Sequence, residues 1–172
     1  MKKGIILLAM IGSLNVPDIF AQVDKPTMAD SGTVNFVSKA ARGGQMEVAA
    51  GKLAVSKAQR ADVKAFGARM IADHSKANAK LKNIIRSKSI PSIVPTPMND
   101  DMLTNASGAT FDHNYVQMMV KDHEEDVALF EKASTTIPDK DVRMFASQTL
   151  PILKDHLQRI KAIAAKMHIS AH

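Results

Sequence analysis

Apolar residues recur at three- and four-residue spacing along most of this chain, and strand-like alternation is nearly absent. Val37, Ala40, Gly44, Val48, Gly51 and Val55 make one stripe, which predicts a helix over about 33–57. Val63, Phe66, Met70, His74, Leu81 and Ile84 make a second, over about 61–88. Phe111, Tyr115, Met119, His123, Val127 and Phe130 predict a third, over about 109–134. Val142, Phe145, Thr149, Ile152, His156, Ile160 and Ile163 predict a fourth, over about 139–167. Pro151 lies inside that last stripe, so a kink or local break is expected near Ser147–Thr149.

The joints at Gln59-Arg60-Ala61-Asp62 and at Thr135 to Pro138 are short, whereas 89–108 has no periodicity and holds Pro91, Pro95 and Pro97. Helices joined short, long, short form two hairpins and one crossover. The predicted fold is all-α, a ferritin-like four-helix bundle over 33–168. About 20 extended residues reach along a helix of this length, so the crossover can run the full height of the bundle.

Composition adds limits. Residues 1–21 read as a secretory signal peptide: Lys2 and Lys3 precede an apolar run from Gly4 to Val16, and Ala21 precedes the expected cut. A polar segment, 22–32, leads into the bundle. The apolar run is too short to span a bilayer, and nothing later is long enough, so no integral membrane span is expected. The chain has no cysteine, which excludes a disulfide framework and a lipidated cysteine anchor. The expected location is the bacterial periplasm or beyond. The charge is +6, but the basic residues are scattered and aromatics are 4%, so no nucleic-acid partner is expected. A protein partner is not identified; a monomer or homodimer is expected.

Candidate chemistry rests on the histidines. Four of the six follow an aspartate directly: His74, His113, His123 and His156. Asp112-His113 sits near a helix start, where Asp is favoured for its charge. His74, His123 and His156 fall near the middle of three separate helices, level with Glu47 on the first. Imidazole with carboxylate suits zinc, iron, manganese, copper or nickel. The expected ligands are His74, His123 and His156, with Glu47, Asp122 or Glu125 supplying a carboxylate. Asp73 and Asp155 are expected to orient imidazoles from behind. Met70 and Met119 each stand four residues before a histidine, a pattern that would favour Cu(I), although methionine also simply fills cores. The competing reading is a metal-free structural or interaction module whose Asp–His pairs form buried polar networks.

Several motifs fall in one order: Phe36-Val37 with Ala40-Ala41, Gly43-Gly44-Gln45-Met46-Glu47-Val48, Val63-Lys64-Ala65-Phe66 through Asp73-His74, Phe111-Asp112 with Tyr115, Asp122-His123 through Leu129-Phe130-Glu131, and Phe145-Ala146 through Leu150-Pro151-Ile152-Leu153 to His156-Leu157. Together they resemble a bacterial exported family known as domain of unknown function 4142, often labelled an outer-membrane protein. The resemblance covers about 35–168. It implies a ferritin-like bundle, possible association with the outer membrane, and no assigned activity. It marks Glu47, Asp73, His74, Asp112, Tyr115, Asp122, His123 and His156. Di-iron ferritin-like proteins carry Glu-x-x-His on two helices. Here Ile71 stands three before His74 and Leu153 three before His156, so a ferroxidase is not expected, nor is any other enzyme.

Overall fold

A computed structural model of the chain describes residues 29–88, 90 and 101–169. The proposed signal peptide, most of the polar lead-in and most of the crossover lie outside the described residues. Among the described residues five helices form in order: α1 (Ser31–Lys57), α2 (Ala61–Ser87), α3 (Asp101–Thr104), α4 (Gly108–Thr136) and α5 (Lys140–Lys166). The four long ones follow the apolar stripes. α3 is a single turn within the aperiodic crossover, seated by Leu103, which is buried.

Local chemistry sets the ends. Asp30 caps α1 by accepting from Thr33 N at 3.0 Å, and Asp139 caps α5 by accepting from Asp141 N and Val142 N. The α1–α2 joint is held from another helix: the Asp112 carboxylate accepts from Gln59 N at 3.0 Å and Arg60 N at 2.8 Å. This compensates for Arg60, whose side chain makes no cap of its own. Of the kink or local break expected at Pro151, the break does not occur, since α5 runs unbroken from Lys140 to Lys166. Pro151 removes one N–H from the ladder, but Ser147, whose carbonyl loses its partner, is exposed and can be hydrated there.

α1 pairs most extensively with α2, and α4 with α5; α1 also meets α4, and α2 meets α5. The C-terminal half of α1 lies with the N-terminal halves of α2 and α4 and the C-terminal half of α5. α2 and α4 are therefore parallel, and the crossover climbs the bundle from one end to the other, the ferritin-like connectivity. α1 and α2 approach backbone to backbone at Gly51 and Gly67: a Cβ on Gly51 would stand 2.6 Å from the Gly67 carbonyl oxygen, and one on Gly67 2.9 Å from that of Gly51.

The core is in two pieces. One apolar cluster holds Phe66, Met70, Phe111, Tyr115, Met119 and Ile160. The other, at the opposite end, holds Phe36, Val37, Leu81, Phe130, Phe145 and Leu153. Between them lies a buried layer of Glu47, His74, His123 and His156.

Candidate metal centre

Each long helix contributes one side chain to this layer. Glu47 comes from α1, His74 from α2, His123 from α4 and His156 from α5, and none is more than 5% exposed. The three imidazoles face one another, with ring centroids 5.9 Å apart for His74–His123, 5.4 Å for His74–His156 and 5.5 Å for His123–His156. One nitrogen from each lies within 4.8 Å of the other two.

The other nitrogen of each ring is held by an oxygen. His123 Nδ1 donates to the Met119 carbonyl oxygen at 2.9 Å, one turn back on α4. His156 Nε2 donates to Asp73 Oδ2 on α2 at 2.9 Å. His74 Nδ1 stands 2.9 Å from Glu47 Oε2 on α1, an ion-pair distance, although both Glu47 oxygens lack a well-aligned donor among the described residues. A carbonyl or carboxylate oxygen only accepts, so these contacts fix the tautomers of His123 and His156. The nitrogens left over are His74 Nε2, His123 Nε2 and His156 Nδ1. All three atoms are buried and have no hydrogen-bond partner among the described residues. An unsatisfied buried polar atom costs roughly 1–3 kcal/mol, so three in one layer need a physical cause.

Electrostatics follow from burial and from one carboxylate. Burial pushes His156 down to about 4, and Asp73 only partly opposes this. Burial also lowers His123. Burial acts the same way on His74, but Glu47 outweighs it and the net shift is upward. Glu47 itself is raised by burial and lowered by more through His74 and the other two imidazoles, ending below its usual range. Burial thus works against charge on His123 and His156, while Glu47 works for it on His74.

Asp122 is half-buried and Glu125 is exposed, and neither belongs to the convergent set. They lie about 100° and 200° round α4 from His123. Asp126, three residues after His123 and so back on its face, was not anticipated; the His-x-x-Asp spacing was its signal. Its carboxyl is pushed up to about 8 by burial and by the Glu47 charge. Asp73 does orient an imidazole. Asp155 does not: it faces outward and pairs with Arg69 at 3.0 Å and Arg159 at 2.8 Å. Asp112 serves the α1–α2 joint, remote from the layer. Tyr115 lies in the first apolar cluster, stacked on Phe111 with centroids 5.7 Å apart, and its buried hydroxyl has no hydrogen-bond partner among the described residues. Met70 and Met119 lie in the same cluster.

Fold and site together define a ferritin-like four-helix bundle with a buried trio of histidines. The family described as Domain of unknown function (DUF4142) matches residues 20–163, and the chain belongs to it. No curated protein matches. Among solved structures, a DUF305 fragment from Deinococcus radiodurans is similar, with a TM-score of 0.66 at 10% identity, covering 81% of this chain and 99% of that one. A conserved hypothetical protein from Mycobacterium tuberculosis is similar as well, with a TM-score of 0.65 at 12% identity, covering 83% and 96%. At such identities these likenesses speak for the fold alone. Among the described residues, no helix is long and apolar enough to cross a membrane.

Proposed function

We propose that this protein is exported to the periplasm or beyond and holds one transition-metal ion at the middle of the bundle, for sequestration or stress protection. The ligands are His74 Nε2, His123 Nε2 and His156 Nδ1. The observation that carries this reading is the division of labour in each ring: one nitrogen stands beside an oxygen, and the other is buried without a hydrogen-bond partner among the described residues, in a trio where one nitrogen of each ring lies within 4.8 Å of the other two. A carboxylate or carbonyl behind each ligating imidazole is the usual support of a metal-bound histidine. Glu47 supplies negative charge beside the ion and, with its Oε1 3.4 Å from His123 Nε2, is near enough to become a fourth ligand. Three imidazoles and a carboxylate suit zinc, copper, iron or nickel. The reading assigns no reaction.

The second reading is a metal-free layer that fixes helix register. Its support is the Glu47–His74 pair, a buried ionic contact between α1 and α2. It leaves the three unpartnered nitrogens without a cause.

Thermal unfolding separates the two. A ligand present at about a thousand times its Kd adds about 4 kcal/mol. Adding a chelator to metal-loaded protein should therefore lower Tm by on the order of 10 °C. The same chelator should leave a His74→Ala/His123→Ala variant unchanged. A wild-type Tm indifferent to metal and chelator would favour the register reading.

A further inference from the structure

We propose that metal reaches the histidine layer through the seam between α2 and α5, and that Arg69 is the strap across it. This inference rests on the metal reading above.

The layer is closed to solvent, so an ion needs a path. Two approaches from the end of the first cluster are tight. About one turn along α1 from Glu47, α1 and α2 touch backbone to backbone at Gly51 and Gly67. Beneath the layer, the buried ring of Phe66 meets His123 and His156 edge-on, at centroid distances of 6.0 and 6.3 Å.

The α2–α5 seam is different. A surface depression there is lined by Arg69, Asp73, Pro151, Ile152, Asp155 and Arg159. Its floor includes Asp73, the residue whose Oδ2 holds His156 Nε2. His156 is wholly buried, while the Asp73 side chain is 32% exposed. One carboxylate therefore touches both solvent and an inner ligand. Over it lies Arg69, with Nε 3.4 Å from Asp73 Oδ2 on its own helix and Nη2 3.0 Å from Asp155 Oδ2 on α5. Asp155 is held in turn by Arg159 Nε at 2.8 Å. The guanidinium thus ties one helix to the other across the mouth.

These ion pairs are partly exposed, so each is weak and opens readily to water. Pro151 sits on the same rim and removes one rung of the α5 ladder there. When Arg69 swings out, the Asp73 carboxylate is left free to meet a cation one residue from the layer. The rival opening is the α1–α4 seam, where Asp126 stands half-buried beside Gly43.

Cobalt(II) alone is a suitable probe, because imidazole ligation gives it a visible spectrum. Full-length wild type, Arg69→Ala, Asp155→Asn and Asp126→Asn would be loaded with Co(II) and mixed with excess chelator, and colour loss timed. Loading would be timed likewise, and Kd measured at equilibrium. The substituted side chains lie at least partly in solvent, and circular dichroism would check that each variant folds. Arg69→Ala should speed loading and release together by about two- to fivefold with little change in Kd, as losing one exposed ion pair implies. Asp155→Asn should do the same more weakly. Asp126→Asn should leave the rates alone. Bound cobalt with wild-type rates in Arg69→Ala, or faster exchange in Asp126→Asn only, overturns the strap and leaves the metal site standing. Wild type that takes up no Co(II) overturns both.

Discussion

The two apolar ends of the bundle and the layer between them obey opposite rules. At the ends, Phe36 meets Phe130 edge-on at 5.0 Å and Phe111 stacks on Tyr115 at 5.7 Å. The buried polar groups outside the layer have partners, as Asp112 has in the α1–α2 joint and Thr149 in the Phe145 carbonyl, with the Tyr115 hydroxyl the exception among those described. The middle layer holds a carboxylate and three imidazoles at nearly the same burial, with several of their polar atoms unpaired. The ends supply the hydrophobic free energy of the fold. The layer gives some of it back, a cost that the proposed metal site would account for.

The largest effect expected of a single substitution lies at an end. Leu81 is 1% exposed in the second cluster, and Leu81→Ala should cost about 2–5 kcal/mol in urea unfolding. Metal stoichiometry should not change, because Leu81 touches none of the ligand atoms' supports. A Leu81→Ala protein that keeps its stability but loses metal would break the division between ends and layer.

The converse substitution sharpens it. Replacing Glu47, His74, His123 and His156 together by apolar residues of similar volume should leave the metal-free protein as stable or up to about 1–4 kcal/mol more stable, as seen for buried ionic groups elsewhere. Removing Glu47 alone, as Glu47→Leu, should instead destabilise, since His74 then loses its acceptor. A four-residue apolar variant that unfolds would mean that the layer is structural after all.

A smaller effect comes from pH. His156 falls to about 4 when folded, against 6.5 unfolded, and burial lowers His123 too. Below pH 6.5 the unfolded chain takes up protons that these folded imidazoles refuse, so their contribution is lost as pH falls. His74 is raised, so its contribution is full below 6.5 and is lost as pH rises through its folded value. Asp126, pushed up to about 8 when folded, acts in the same direction as His74 across this window, so two raised groups oppose two depressed ones. The clean readout is therefore a difference between variants: on acidification from about pH 6.5 towards 4, His156→Leu should lose less stability than wild type, or gain more. Urea midpoints of both proteins at several pH values check this; parallel profiles contradict the lowered His156.

Much of this was legible in the chain. The stripes placed four helices because burial and the 3.6-residue period act together, and the long 89–108 connection implied parallel second and third long helices. The shared level of Glu47, His74, His123 and His156 was legible too, since mid-helix residues meet whichever way the helices run. Rotation was harder to read. Asp122 and Glu125 read as carboxylate donors beside His123, whereas Asp126, which repeats the His123 face, goes unread, and Asp155 reads as a support for an imidazole although Arg69 and Arg159 hold it outside. Asp112 reads as a helix-start charge, whereas it clamps the backbone of a joint formed by two other helices, a contact no local pattern reveals. Pro151 signalled a break, but one lost hydrogen bond on an exposed face is outweighed by the burial of Phe145, Leu153 and Ile160 on the other.

The most direct test of the central claim is metal content. The untagged protein and its His74→Ala/His123→Ala variant would be dialysed in turn against zinc, copper, iron, manganese and nickel at near-neutral pH and analysed for each element. The account predicts about one equivalent of one metal per chain in the wild type and none in the variant. Wild type that retains no metal, or a variant that retains as much as wild type, would contradict it.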